Sequence, residues 1–124
     1  MKYRIEGIPP SNNKFIGRNQ RWEYQDVKSQ WAAIIQYLCV PKPPKPFKHS
    51  VVSIKYYFKD KRRRDPDNYS GKFILDGLVS SGIIEDDSFN NIKLMLSAEF
   101  GCGKEYTEIE VTEIVNPTKE MALR

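Results

Sequence analysis

The sequence predicts a single α+β domain, in which a small mixed sheet of about four strands is covered on one face by two helices. Three observations lead to this fold class. Two segments carry apolar residues at three- and four-residue spacing, four segments are rich in β-branched or aromatic residues, and they follow one another in the order β-α-β-α-β-β. The chain of 124 residues is long enough for one modest hydrophobic core.

The first half of the chain predicts two strands and one helix. Residues 2–8 alternate apolar and charged side chains, which is typical of a short strand. A helix is predicted over residues 24–40, where an apolar stripe recurs at helical spacing. The proline-rich residues 41–47 end it and are expected to form an exposed connector. Residues 50–58 are the clearest strand, because β-branched and aromatic side chains dominate them.

The second half predicts one helix and two strands. The helix is expected to run from about Asp67 or Asn68 to Ser80. Residues 91–100 and 106–115 are predicted strands, and the intervening GCGKE is predicted to form a hairpin loop. We therefore expect one domain over residues 1–115, followed by a C-terminal tail over residues 116–124.

Composition narrows the class of protein. The chain is 40% hydrophobic and 29% charged, which indicates a globular rather than a disordered protein. Its net charge of +4 is compatible with an anionic partner. Cys39 and Cys102 have no C-x-x-C spacing and are expected to be reduced thiols. Without a signal-peptide pattern or an apolar stretch of bilayer-spanning length, we expect a cytoplasmic protein that does not engage membranes.

The charge of the chain reverses sign at one point. The basic run KDKRRR over residues 59–64 directly precedes Asp65 and Asp67, which flank a proline. An Asp before Pro at a helix start is often only an N-cap, and a basic run is often only a solvated loop. One helix end, however, does not need both carboxylates. The combination therefore favours a site that holds a polyanion beside a metal ion.

More acids follow the second predicted helix, at Glu85, Asp86 and Asp87. If the chain turns back toward the sheet there, one of them would join the first pair in an oxygen-rich group. Mg²⁺ or Mn²⁺ would suit such a group and would activate a water for attack on phosphate. With one histidine and no cysteine pair, zinc is not expected. A calcium loop is excluded, because Tyr69 and Ser70 stand where an oxygen ligand and a glycine are needed.

Two interpretations of Lys72 stay open at this point. Lys72 and Asp76 are four residues apart on one polar helix face, so they predict a surface ion pair. Alternatively, the Lys72 ammonium lies near the acids and stabilises charge that develops on a phosphate.

The motif RRRDPDN at residues 62–68, followed by LDGLVSSGIIEDD at residues 75–87, resembles the RusA family of Holliday junction resolvases. The segment PPSNN at residues 9–13 is similar to the N-terminal P-P-S-x-N of that family. The likeness extends from Ile8 to Val115 and is specific in the central motif. It implies a homodimeric endonuclease, dependent on Mg²⁺ or Mn²⁺, that nicks four-way DNA junctions symmetrically in recombination and repair. It also implies an origin in a bacterium, phage or prophage.

The resemblance assigns roles by position. Asp65 and Asp67 match the first two catalytic, metal-holding acids, and Asp87 matches the third, with Asp86 as a neighbouring candidate. Lys72 matches the catalytic lysine only with a departure, since it follows Asp67 by five residues and the family lysine follows by four. One extra residue inside a helix would rotate its side chain by about 100°.

Further candidates would contact DNA. The basic residues expected at phosphates are Lys14, Arg18, Arg21, Lys61, Arg62, Arg63 and Arg64. Tyr69 or Phe73 would stack on unpaired bases, although core packing is the favoured interpretation of both rings. Two other functions stay open: a nucleic-acid-binding module without chemistry, and a nuclease for another branched DNA.

Overall fold

A four-stranded mixed sheet and two helices make up the protein, which confirms the predicted α+β class. The computed structural model describes residues 1–15 and 21–115. The elements are β1 (Lys2–Glu6), a 3₁₀ helix (Asn12–Phe15), α1 (Arg21–Leu38), β2 (Ser50–Tyr57), α2 (Lys72–Ser80), β3 (Ile92–Glu99) and β4 (Tyr106–Glu113). The predicted tail over residues 116–124 lies outside the described residues.

The strands lie in the order β1-β4-β2-β3. β2 and β3 are parallel neighbours joined by α2, and the other two pairs are antiparallel. The predicted hairpin between β3 and β4 is therefore wrong, because β2 lies between them. Residues 101–103 instead bond to the chain that leaves β2, with the Gly101 N–H donating to Asp60 O at 3.0 Å and the Cys102 N–H to Phe58 O at 2.9 Å. These bonds carry the connection across the end of β2.

One face of the sheet carries the core. Along β2 every second residue is buried, and the paired residues of β1 and β4 bury their side chains on the same face. Both helices add apolar side chains to this single cluster, and Gly77 of α2 lies close against Ile35 of α1. Core members from the two helices and the two central strands are Trp31, Ile35, Val52, Ile54, Ile74, Leu78, Ile109 and Val111.

The second helix begins later than the sequence predicts, at Lys72 rather than Asp67 or Asn68. Gly71 has a φ of 83°, a left-handed conformation that a helix cannot include. Before it the chain makes a turn, in which the Asn68 N–H donates to Asp65 O at 3.0 Å. The N-cap interpretation of Asp65 is consequently wrong, since Gly71 occupies the cap position and no side chain bonds there.

Four of the seven residues of the proline-rich connector are exposed, as predicted, although the segment is also attached to the fold. Pro43 is buried, and the Pro41 carbonyl accepts a hydrogen bond from the Tyr3 hydroxyl at 2.7 Å. Cys39 and Cys102 are both free, as predicted, and burial raises the pKa of the Cys39 thiol to about 11. No helix in the described part of the chain has the length and apolarity needed to cross a bilayer.

Replacing Gly71 by alanine should destabilise the fold by roughly 1–3 kcal/mol. The new Cβ would lie 2.8 Å from Ile54 Cδ1, and the left-handed backbone adds its own strain. Gly82→Ala is the matched control, because Gly82 also has a positive φ but a Cβ there meets nothing within 4 Å. Urea unfolding measures both, and an equal loss of stability in the two variants would contradict the packing argument.

Candidate functional site

The acidic turn, defined here as residues 65–70, is held in place by the N-terminal segment. The Asn12 N–H donates to Asn68 O at 2.8 Å. The Asn12 side-chain amide donates to Asp67 O and to Ser70 Oγ, each at 3.0 Å. Sequence reasoning did not single out Asn12, although it belongs to the PPSNN segment that the family resemblance includes. Asn12 falls on the unspecified position of P-P-S-x-N, so the match did not single it out, and its role depends on contacts with a segment more than 50 residues away.

Arg64 fixes the basic loop, defined as residues 59–64, to the end of the sheet. Its guanidinium donates to Asp60 Oδ1 at 2.8 Å, lies 3.9 Å from Glu105 Oε2, and covers the Phe58 ring at 4.2 Å from the centroid. Only 9% of its side chain is exposed, which leaves little surface for a phosphate contact. The hydrogen bond from Arg64, followed by that from the Arg62 backbone N–H, lowers the pKa of Asp60 to about 2.

Other cations of the loop face solvent. The side chains of Arg62 and Arg63 are 78% and 88% exposed, and Lys61 is exposed as well. Lys14 and Arg21 are exposed on the 3₁₀ helix and at the start of α1, whereas Arg18 lies outside the described residues. Exposure lets these side chains reach the phosphates of a bound nucleic acid without a change of fold.

Two of the three predicted acids, Asp65 and Asp87, line clefts that β3 also lines. Asp65 opens into a cleft with Leu96 of β3, and Asp87 opens into a second cleft with Leu94. Leu94 and Leu96 are successive residues on one face of β3, about 7 Å apart along the strand. Asp67 is exposed on the acidic turn between Asp65 and α2.

These acids do not form a compact group. Within residues 1–15 and 21–115, no three His, Cys, Asp or Glu side chains are placed to hold one metal ion. The chain after α2 pairs with the segment that precedes β2, through the bridge between Ile84 and Phe47, and this pairing fixes the course of the chain just before Asp87. The oxygen donors therefore suit a hard cation chemically, but their spacing does not provide a preformed three-carboxylate site.

Lys72 forms the ion pair that the sequence predicted as one alternative. Its ammonium lies 3.8 Å from Asp76 Oδ2, and Lys28 of α1 lies 3.8 Å from the same oxygen. Asp76 thus holds a lysine from each helix, and the Lys72 side chain is directed to Asp76.

The two aromatic candidates differ in their surroundings. Phe73 is 3% exposed and packs against Phe15 and Tyr24, which confirms core packing for this ring. Tyr69 is only half-buried, and it lines the cleft beside Asp65 together with Phe58.

Neither a comparison with protein-family models nor a comparison with curated proteins found a match. The resemblance to the RusA family therefore rests on the motif residues alone.

The Asp60–Arg64 pair makes the basic loop sensitive to acid. Because the folded-state pKa of Asp60 is about 2, below its ordinary 3.8, the pair stabilises the loop above pH 3.8. That stabilisation is lost as the pH falls through about 2. Arg64→Met should move the Asp60 pKa back toward its ordinary value, as measured by NMR titration of the carboxyl group. Arg63→Met is the matched control and should leave it unchanged; an Asp60 pKa that stays at about 2 in Arg64→Met would refute the assignment.

Proposed function

We propose that the protein is a RusA-type, metal-dependent, structure-selective DNA endonuclease. It resolves four-way (Holliday) junctions by paired symmetric nicks in DNA recombination and repair. One observation carries the proposal: the exposed Arg62 and Arg63 lead directly into the acidic turn, in an order that resembles the basic run and D-x-D-N of the family motif.

Some of the basic residues contact DNA directly, and Arg64 acts on the position of the others. Arg62 and Arg63 contact phosphates from the loop, with Lys61 beside them, because their charges face solvent. Lys14 extends the positive surface, since the same 3₁₀ helix begins with Asn12, which binds the acidic turn. Arg64 acts indirectly, by fixing the loop that presents the other cations.

The proposed cofactor is Mg²⁺, with Mn²⁺ able to substitute, and Asp65, Asp67 and Asp87 are its proposed ligands. Mg²⁺ usually binds through one or two carboxylates plus waters and substrate phosphates, so a preformed three-carboxylate group is not required. When bound, the ion would supply the charge that orients and activates a water. Lys72 would add positive charge toward a phosphate only after leaving Asp76.

The substrate also suits a symmetric protein. A four-way junction presents pairs of equivalent strands, and an isologous homodimer would present two equivalent sites to them. We place this activity in the cytoplasm of a bacterium, where the gene belongs to the host, a phage or a prophage.

A second candidate is a nucleic-acid-binding module without chemistry. It is favoured by the Arg63–Asp65 pair, whose Nε–Oδ1 distance of 3.2 Å gives Asp65 a partner other than a metal. Thermal melting separates the two candidates, because a ligand that binds only the folded state raises Tm. Stabilisation by Mg²⁺ or Mn²⁺ is expected for the endonuclease and no stabilisation for the module. Four-way, three-way, flap and linear DNA compared as substrates would identify a nuclease for another branched DNA.

Asp67→Asn and Asp87→Asn should each slow nicking of a synthetic four-way junction on the order of 10²-fold or more. Junction binding should be retained or tightened, since a carboxylate that repels phosphate is removed. Gel analysis of end-labelled strands with Mg²⁺ or Mn²⁺ measures nicking, and anisotropy measures binding.

Asp26→Asn serves as the matched control for both variants, because Asp26 is an exposed acid of α1 that lines neither the cleft at Asp65 nor the cleft at Asp87. It should keep nearly full activity. An intact junction after incubation with the unaltered protein would overturn the endonuclease proposal, and full activity in Asp67→Asn would overturn the role of that carboxylate.

A further inference from the structure

An aromatic cleft lies directly beside Asp65. Its volume is about 240 Å³, and it lies between the acidic turn and β3. Three rings form much of its wall: Phe58, Tyr69 and Phe100. The polar part of its lining comes from Arg64, Asp65 and Ser97.

The rings are arranged so that a further flat ring can join them. Phe100 is stacked on Phe58 with centroids 5.4 Å apart and an interplanar angle of 18°. Tyr69 meets Phe58 edge-on, with centroids 5.1 Å apart and an angle of 75°. Phe58 is buried, whereas Phe100 is 44% exposed. An apolar surface of this kind, open to solvent at one ring, suits a planar aromatic group that stacks.

The positive charge near the cleft indicates that the planar aromatic group is attached to an anion. The exposed guanidinium groups of Arg62 and Arg63 stand on the loop that leads into the cleft lining. The cleft at Asp87, by contrast, has an aromatic ring and a carboxylate but no basic residue in its lining. A planar ring with polar edges, attached to a phosphate chain, therefore matches both the aromatic wall of the Asp65 cleft and the positive charge beside it.

We propose that this cleft binds one unpaired nucleobase of a branched DNA. The base would belong to the DNA next to the phosphate backbone that approaches Asp65. The inference rests on the proposed function for the identity of the substrate as DNA. Bases at a branch point are unpaired or easily unstacked, and continuous duplex offers none. Occupation of the cleft thus adds affinity for branched DNA beyond the phosphate contacts, which branched and continuous DNA share.

The test uses a four-way junction with 2-aminopurine at the branch point, in EDTA so that no strand is nicked. Binding of the unaltered protein should change the 2-aminopurine fluorescence. Phe100→Ala should abolish that change and weaken junction binding about ten-fold, as expected for one lost stacking contact. Its affinity for continuous duplex should stay the same. Phe100→Trp should restore the signal, and Tyr37→Ala, which removes an exposed ring from α1, should behave as the unaltered protein.

Each outcome assigns the failure to one proposal. If Phe100→Ala keeps both the fluorescence change and the affinity, the nucleobase site is wrong, even if the protein nicks junctions with Mg²⁺. If the signal depends on Phe100 but no nicking occurs, the nucleobase site stands and the endonuclease falls. If Phe100→Ala instead changes the mass in solution by sedimentation, the cleft is a contact between copies of this chain and the nucleobase proposal is overturned.

Discussion

The nearly buried guanidinium of Arg64 is the interaction on which the candidate site depends. A charge with so little exposure must be paired, and Arg64 meets Asp60 and Glu105 while it stacks on Phe58. Phe58 and Asp60 lie within six residues of Arg64, whereas Glu105 belongs to the connection that leads to β4, so one side chain joins the basic loop to a segment distant in sequence. Asp65 is the next residue, and it lines the aromatic cleft together with Arg64. Composition alone cannot distinguish such an arginine from its exposed neighbours.

The sequence predicted the elements well where local periodicity determines them. The alternation in β2 and the apolar stripe of α1 identified both within a few residues, because each pattern records burial on one face. The sequence-based prediction failed where the structure depends on contacts between residues distant in the chain. β3 and β4 adjoin in the chain but not in space, since β2 pairs with both of them. The start of α2 was missed for a related reason, because the left-handed Gly71 packs against Ile54 of β2.

For the candidate site too, the sequence identifies candidate residues but not their positions in space. Motif order selected Asp65, Asp67 and Asp87 as candidates, but the placement of Asp87 depends on the pairing of Ile84 with Phe47, which no local pattern reveals. The five-residue spacing from Asp67 to Lys72 includes the turn at Gly71, so Lys72 is the first residue of α2. Its direction is then set by Asp76, one helical turn later.

Two ion pairs of different character lie where the charge of the chain changes sign: one is fixed and the other can exchange partners. Arg64 and Asp60 are bonded and partly shielded, whereas Arg63 and Asp65 form an exposed pair at 3.2 Å. Exposed pairs contribute little free energy, so separating Arg63 from Asp65 costs little. A divalent cation that took Asp65 would release Arg63 for a phosphate, and a phosphate that took Arg63 would release Asp65 for a cation. Under the proposed function, each event would favour the other, and binding of the two ligands would be coupled with the same sign in both directions.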